Sequence, residues 1–458
     1  MKKISFLICF VTFLSCSPSK KEISPTALLI TNVNIVDVST GNILENRQVI
    51  IDSGKIKKIV DSVENVDGYF TKIQGKGKYL IPGLAEMHAH IPQPPTSDVR
   101  IKETLFLYLS NGITTIRGML GHPSHLELRE QANNGDILSP RIFSSSPSFN
   151  GNTVSTKEEA IQKVTAYKNA GYDFLKIHPG MTLEVFDQMA ETANKLNIPF
   201  AGHVPVKVGI THALNSKYAS IDHVDGYLEG LVPESEGVDP SINGFFGFAF
   251  TPIADTSKID ELVALTKEKK VWVVPTQSLF ERWFAPISSD TLLDQAEMKY
   301  MPVSTLADWK RRKDESTSPD TGFNAEQWIK FTAIRRELIY KLQHNGHGLL
   351  LGSDAPQLFN VPGFSIHHET EGMVMAGLTP LEILQSGTLN PALFFGKDDI
   401  FGAIKEGLDA DLVLLNSNPL LDISALKDIS GVMVRGKWLS KEFIDEKLKD
   451  IAKNAKEE

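Results

Sequence analysis

Cysteine is almost absent: the 458-residue chain has two, Cys9 and Cys16, both in an apolar N-terminal segment. The rest of the chain therefore has no disulfides and no thiolate to offer a metal. Any metal site must be made from histidine, carboxylate or modified lysine. An excess of positive charge is lacking as well. With 47 Lys and Arg against 56 Asp and Glu, the formal net charge is −9, and no basic footprint for nucleic acid is visible. Long apolar runs are missing too. The N-terminal stretch 4–14 is too short to span a bilayer as a stable helix. Nor is there an internal repeat or a low-complexity tract. What remains, 41% hydrophobic and 22% charged, is an ordinary globular composition.

The first residues have the pattern of an export signal. Lys2 and Lys3 precede the apolar stretch, and Phe13-Leu14-Ser15-Cys16 leads into a polar run. A small residue before Cys at the end of such a core resembles a bacterial lipoprotein cleavage site. The resemblance implies a signal peptide over 1–16, lipid on Cys16 and a membrane-anchored, exported protein. Phe13 stands where leucine is usual, so plain secretion is the alternative.

Beyond residue 27 the pattern is strand-rich as far as 82, with short apolar runs punctuated by Gly, Asn and Asp. The period then changes. Eight strand-length apolar runs, at 83–91, 113–117, 141–145, 174–178, 200–203, 220–224, 271–275 and 349–354, alternate with amphipathic stretches such as 157–170, 183–196, 259–269 and 326–344. Eight βα units on this scale predict a closed (β/α)8 barrel over 83–399, in preference to an open doubly wound sheet. Strand character returns over 400–440, so a small β-sandwich domain is expected to assemble from 27–82 and 400–440. The tail 441–458 reads as a solvated amphipathic helix.

Function in such a barrel resides at the C-terminal ends of the strands. The first run ends in His88-Ala89-His90, whose alternation puts both imidazoles on one face. Others end in His203, in Asp222-His223 and in Asp354. For any one of these, a core histidine or a capping aspartate is as good an explanation. Together they read as a nitrogen and oxygen ligand set suited to zinc, and also to iron or manganese. Lys176 lies inside the apolar run Phe174-Leu175-Lys176-Ile177. Burial there should lower its pKa, and the neutral amine can take up carbon dioxide as a carbamate. The alternative is a lysine snorkelling to the rim.

Ile81-Pro82-Gly83-Leu84 running into His88-Ala89-His90, followed in order by Lys176, His203, His223 and Asp354, resembles the amidohydrolase superfamily. The nearest subgroup is the prolidase-like and imidazolonepropionase-related enzymes. Gly377-Leu378-Thr379-Pro380, Thr388-Leu389-Asn390-Pro391 and Gly407-Leu408-Asp409-Ala410-Asp411 extend the likeness over nearly the whole mature chain. The resemblance implies two divalent metal ions, zinc by preference. His88, His90 and Asp354 would hold one ion, and His203 and His223 the other, with carboxylated Lys176 bridging. Asp354 would accept a proton from metal-activated hydroxide and return it to a leaving amine. The implied reaction is hydrolysis of an amide or dipeptide-like C–N bond in a small molecule. Lactonases and phosphotriesterases use similar sites, and an envelope lipoprotein that only binds a ligand is the non-catalytic alternative. Relatives often self-associate, which makes a homo-oligomer an expectation, although no interface patch is legible.

There are departures. Arg117-Gly118 stands where the family often has Arg-Asp. His178, Tyr227 and Arg117 are expected as substrate contacts. Arg117, Arg282, Arg311 and Arg312 are the candidate partners for a substrate carboxylate. Histidines 122, 125, 212, 344, 347, 367 and 368 are expected at the surface or in caps. Two enlarged loops, 225–256 and 277–322, carry Phe245, Phe246, Phe248, Phe250, Trp283, Phe284, Tyr300 and Trp309, and predict an aromatic-lined lid.

Overall fold

The computed structural model describes residues 27–63, 66–69 and 71–457. The signal-peptide and Cys16 lipidation expectations lie outside them. Five strands come first: β1 (Leu28–Asp37), β2 (Asn42–Asp52), β3 (Lys55–Val60), β4 (Thr71–Gln74) and β5 (Tyr79–Pro82). Ser53 and Gly54, at φ 52° and 76°, make the left-handed two-residue turn between β2 and β3, the geometry that matches strand twist in a hairpin.

The barrel strands follow: β6 (Leu84–Ala89), β7 (Ile113–Gly118), β8 (Arg141–Phe149), β9 (Phe174–Ile177), β10 (Phe200–Gly202), β11 (Ser220–Asp222) and β12 (Trp272–Val274). They pair in chain order, all parallel. The eighth segment, near 349–355, closes the ring without forming a regular strand. Leu350 N donates to Val273 O on one side, while Met87 N donates to Leu351 O and Asp354 N to His88 O on the other. The ladder breaks between them because Ser353 N turns to the Glu86 side chain instead of a main-chain carbonyl. Gly352 is required there, since a Cβ would meet Val274 Cγ1 at 2.6 Å and His88 N at 2.8 Å.

The chain then returns to the first sheet through β13 (Leu412–Leu415), β14 (Ile429–Val434) and β15 (Lys437–Ser440). The order is β15-β14-β13-β5-β1-β2-β3, with β4 also on β1. β1 carries β4 along Leu28–Thr31 and β5 along Asn34–Ile35. This mixed sheet, assembled from both ends of the chain, buries its own cluster of Ile30, Val33, Ile35, Val49, Leu80, Leu412 and Met433.

Helix limits follow capping chemistry. Lys157–Ala170 starts at a capping box between Thr156 and Glu159 and stops at Gly171, φ 86°. Leu183–Leu196 starts at Thr182, ends at left-handed Asn197, and buries Val185, Phe186, Met189 and Ala193 against the strands. The C-terminal helix Lys441–Glu457 is only partly solvated, because Ile444, Ile451 and Ala455 are buried. Among the described residues no helix is long and apolar enough to cross a membrane.

One charge cluster ties the two units together. Arg141, at the start of β8, donates to Asp409 at 2.7 Å and to buried Asp411 at 3.1 Å. Removing the cation would leave Asp411 without its principal counter-charge. Arg141→Met is therefore expected to destabilise the fold by about 3 kcal/mol, read as a fall in the urea midpoint at unchanged m. A change within about 0.5 kcal/mol would show that the cluster contributes little.

Candidate metal centre

Six of the residues singled out above converge at the C-terminal ends of the strands. His88 closes β6 and is buried, with Nε2 3.4 Å from Asp354 Oδ1 and 3.5 Å from Lys176 Nζ. His90 Nε2 lies 2.6 Å from Asp354 Oδ1. The imidazoles of His88 and His223 are 4.5 Å apart between ring centres, and those of His203 and His223 are 4.6 Å apart. Lys176 on β9 is fully buried, 3.9 Å from Asp222 Oδ2, so it does not snorkel. Desolvation lowers its amine to about 8 despite the opposing pull of Asp222. Burial also holds His88 and His223 well below the usual imidazole range.

The partners around the imidazoles orient them. Asp225 Oδ2 lies 3.0 Å from His203 Nδ1 and also accepts from Val204 N. As a carboxylate it only accepts, so His203 carries its proton on Nδ1 and leaves Nε2 free. Thr276 Oγ1 donates to Pro275 O and lies 2.7 Å from His223 Nδ1. With its proton directed at Pro275 O, the hydroxyl accepts from Nδ1–H. Asp222 Oδ2 faces His88 Nδ1 at 3.1 Å, although the pair is out of hydrogen-bond alignment. Outward Nε2 lone pairs backed by Nδ1 acceptors are the arrangement of metal-binding histidines. His88, His90 and Asp354 each place a donor atom within 4.8 Å of the others, so the residues present fit a divalent ion.

This aim requires unusual backbone. His223, Val224, Thr276 and Asp354 all have left-handed φ, at 65°, 53°, 45° and 64°. For side-chain-bearing residues this costs roughly 1–3 kcal/mol each, most plainly at β-branched Val224 and Thr276. Gly202, at φ 126°, lets β10 approach β9, where a Cβ would stand 2.4 Å from Ile177 O.

His178 lines a cleft of about 620 Å³ with Leu120, Ser148, Asn150 and Asn152. Its Nδ1 lies 2.8 Å from Ser148 Oγ, and its ring stacks 5.2 Å from His203. Phe246 abuts the rings of His203 and His223 at 5.7 and 5.4 Å. The aromatic lid narrows to this one side chain at the centre. Phe245, Phe248 and Phe284 pack behind it with Phe280, Phe323 and Phe331, while Tyr300 stacks on Phe364 and Trp309 lies near Phe359.

Several expectations need correction. Arg117 is not at the mouth. It is wholly buried inside the barrel, bonded to Met87 O, Ser220 Oγ and Asp222 Oδ1. Tyr227 is fully buried, and its hydroxyl meets Thr266 on the outer helix rather than the cleft. Among the other candidate carboxylate partners, Arg282 is spent on Gln295 and Phe359 O. Arg311 pairs with Asp308 and Glu315, and Arg312 lies 3.8 Å from Asp308. His125 and His367 are core residues, not surface ones: burial takes His125 to about 4, and His367 bonds Asn111. His122 does cap its helix.

Sequence reasoning gave no role to Asp222, Asp225, Thr276 or Glu86. The first two adjoin or follow His223 at short spacing, which is a usable signal. Glu86, two residues before His88, alternates to the same face, but nothing in the chain marks its partners as Ser353 and the His88 amide. Its Oε1 accepts from His88 N and Ser353 N, its Oε2 meets Ser353 Oγ at 2.7 Å, and burial raises it to about 8.

Parallel strands closed into a ring, with histidine, lysine and aspartate gathered at their C-terminal ends, define a barrel with a candidate metal centre at its mouth. The chain belongs to the amidohydrolase family, whose model matches residues 79–439. It is 22% identical over 435 residues to ochratoxinase of Aspergillus niger, covering 86% of this chain and 82% of the relative. By structure it is similar to a bottromycin amidohydrolase (TM-score 0.71, 20% identity, 94% of this chain and 91% of the other). A Xaa-Pro dipeptidase superposes with TM-score 0.63 at 18% identity, over 90% of this chain and all (100%) of that one.

Glu86 generates a pH prediction. Its folded pKa lies above the unfolded value, so the folded state holds an extra proton between about 4.5 and about 8. Stability should decline as pH rises through that window, by up to about 1.4 kcal/mol per unit. Glutamine can accept the same two amides and donate to Ser353 Oγ. Metal-free Glu86→Gln should therefore lose less stability than the parent between pH 5 and 8 in urea titrations. Parallel pH profiles would refute a protonated Glu86.

Proposed function

We propose that the chain is a metal-dependent hydrolase that cleaves an amide or dipeptide-like C–N bond in a small molecule. The observation that carries this reading is the convergence of His88, His90, Lys176, His203, His223 and Asp354 on one volume beside the His178 cleft. In the proposed arrangement His88, His90 and Asp354 would hold one divalent ion, zinc by preference. His203 and His223 would hold the second, with Lys176, carboxylated on Nζ, as the group shared between them. When bound, such ions lower the pKa of water towards neutrality and polarise a carbonyl.

The chain's own groups supply the rest. Lys176, with its amine drawn down to about 8, is available as the neutral nucleophile that takes up carbon dioxide. Asp354, whose amide is fixed to His88 O, accepts the proton of the attacking water and delivers it to the leaving amine. His178, braced by Ser148, contacts the substrate in the cleft, and Phe246 excludes water beside His203 and His223. Similarity to an ochratoxinase, a bottromycin amidohydrolase and a Xaa-Pro dipeptidase supports a C–N bond as the target.

Metal content per chain is the test. About two ions in the parent and loss of metal in Lys176→Ala are expected, whereas a single ion that survives the substitution would overturn the bridged centre. Asp354→Asn should lower kcat about 10²–10⁴-fold on any amide found in a screen. Turnover confined to lactones or phosphotriesters would redirect the substrate class. Metal without turnover across the whole panel would favour a ligand-binding protein.

We also propose export and lipid anchoring through Cys16. Cys16→Ala should abolish labelling by a palmitate analogue and release the protein from the membrane fraction, and an unchanged fractionation would refute the anchor. Self-association is a further proposal, read from the mass of the mature protein in solution.

A further inference from the structure

The helix Ala325–His344 follows β12 on the outside of the barrel and supplies none of the six centre residues. It carries one buried cation, Arg335, that the proposed reaction does not use. The guanidinium lies 3.4 Å from the centroid of the Phe280 ring. Its Nη1 donates to His223 O at 2.8 Å, its Nη2 to Pro275 O at 3.2 Å and its Nε to Gln277 Oε1 at 3.0 Å. Among the described residues no carboxylate is in ion-pair contact with it. A methionine would fill the space above Phe280 but would leave buried His223 O and Gln277 Oε1 without their donor. What an apolar chain cannot do is hold two carbonyls from adjacent strand exits with one planar fork. A lysine, a point donor on a flexible stem, can do so only in part.

Those two carbonyls belong to the strained turns. His223 and Val224 leave β11 with left-handed φ, and Thr276 leaves β12 likewise. Thr276 Oγ1 lies 2.7 Å from His223 Nδ1. Arg335 thus grips the main chain of the imidazole and, through Pro275 and Gln277, the segment bearing that imidazole's hydrogen-bond partner. We infer that Arg335 is a positioning residue for His223, setting both the direction and the Nδ1–H tautomer of its ring and hence the strength of the second metal position. The metal half of this inference rests on the binuclear reading above. The tautomer half does not.

Two readouts on the full mature chain separate these. In the metal-stripped protein, ¹⁵N spectra of labelled histidine should show His223 as the Nδ1–H tautomer, and Arg335→Met should convert it to a mixture, with Arg335→Lys between. On adding Zn²⁺ against a chelating competitor, the second site should weaken at least ~10-fold in Arg335→Met while the first holds. Thr276→Val should reproduce the tautomer change and be non-additive with Arg335→Met. Far-UV circular dichroism and a cooperative melt establish that each variant is folded. A parent that binds one ion sinks the binuclear reading, and the tautomer measurement then decides the inference alone. Folded variants with the parent's tautomer would overturn it. So would failure of both Arg335 variants to fold, which would assign the arginine to barrel stability.

Discussion

Closure of the barrel by its irregular eighth segment is the constraint on which the centre depends. His88, His90 and Asp354 come from opposite ends of the ring in sequence, and they meet only because 349–355 docks on β6. That docking uses main-chain bonds from Asp354 N to His88 O and from His90 N to Ala355 O, with the Glu86 carboxyl inserted between at Ser353. A regular ladder would have sent the Asp354 side chain along the strand pleat. The interruption lets Asp354 adopt φ 64° and turn its carboxylate onto His90. Irregularity at this closure is therefore a condition of the site. The strained exits of β11 and β12 solve the same geometric problem for His223, and the buried groups beneath them hold those exits in place.

Much of this was legible in the chain. The barrel could be read because apolar runs alternate with amphipathic ones, and seven of the eight runs appear as strands near the expected limits. The eighth could be read by composition but not by form, since its ladder is broken by a side chain distant in sequence. His88, His90, Lys176, His203, His223 and Asp354 were legible because each ends or interrupts an apolar run, where a polar group needs a reason to be. Thr276 and Arg335 were not. Their role comes from what they touch across the ring, and no spacing within one strand encodes that. Arg117 was misplaced for a related reason. A long cation at a strand end looks like a substrate contact until its partner, Asp222 four strands away in the sheet order, is known.

That pair bears on how the centre handles charge. Arg117 Nη2 and Asp222 Oδ1 are 2.8 Å apart in the barrel interior, so each offsets the other where neither meets solvent. The remaining charges facing the histidines are then those of Asp354 and Asp225 and whatever Lys176 carries. As an ammonium, Lys176 would place a cation 3.5 Å from His88 Nε2, against the very atoms that would bind divalent ions. Coulomb repulsion at such separations in a dry interior outweighs an ordinary hydrogen bond. Burial that draws the Lys176 amine down to about 8 lessens the conflict, and the proposed conversion to an anionic carbamate would reverse its sign. A fully buried lysine among four histidines would escape that repulsion as a neutral amine or in the proposed carbamate form.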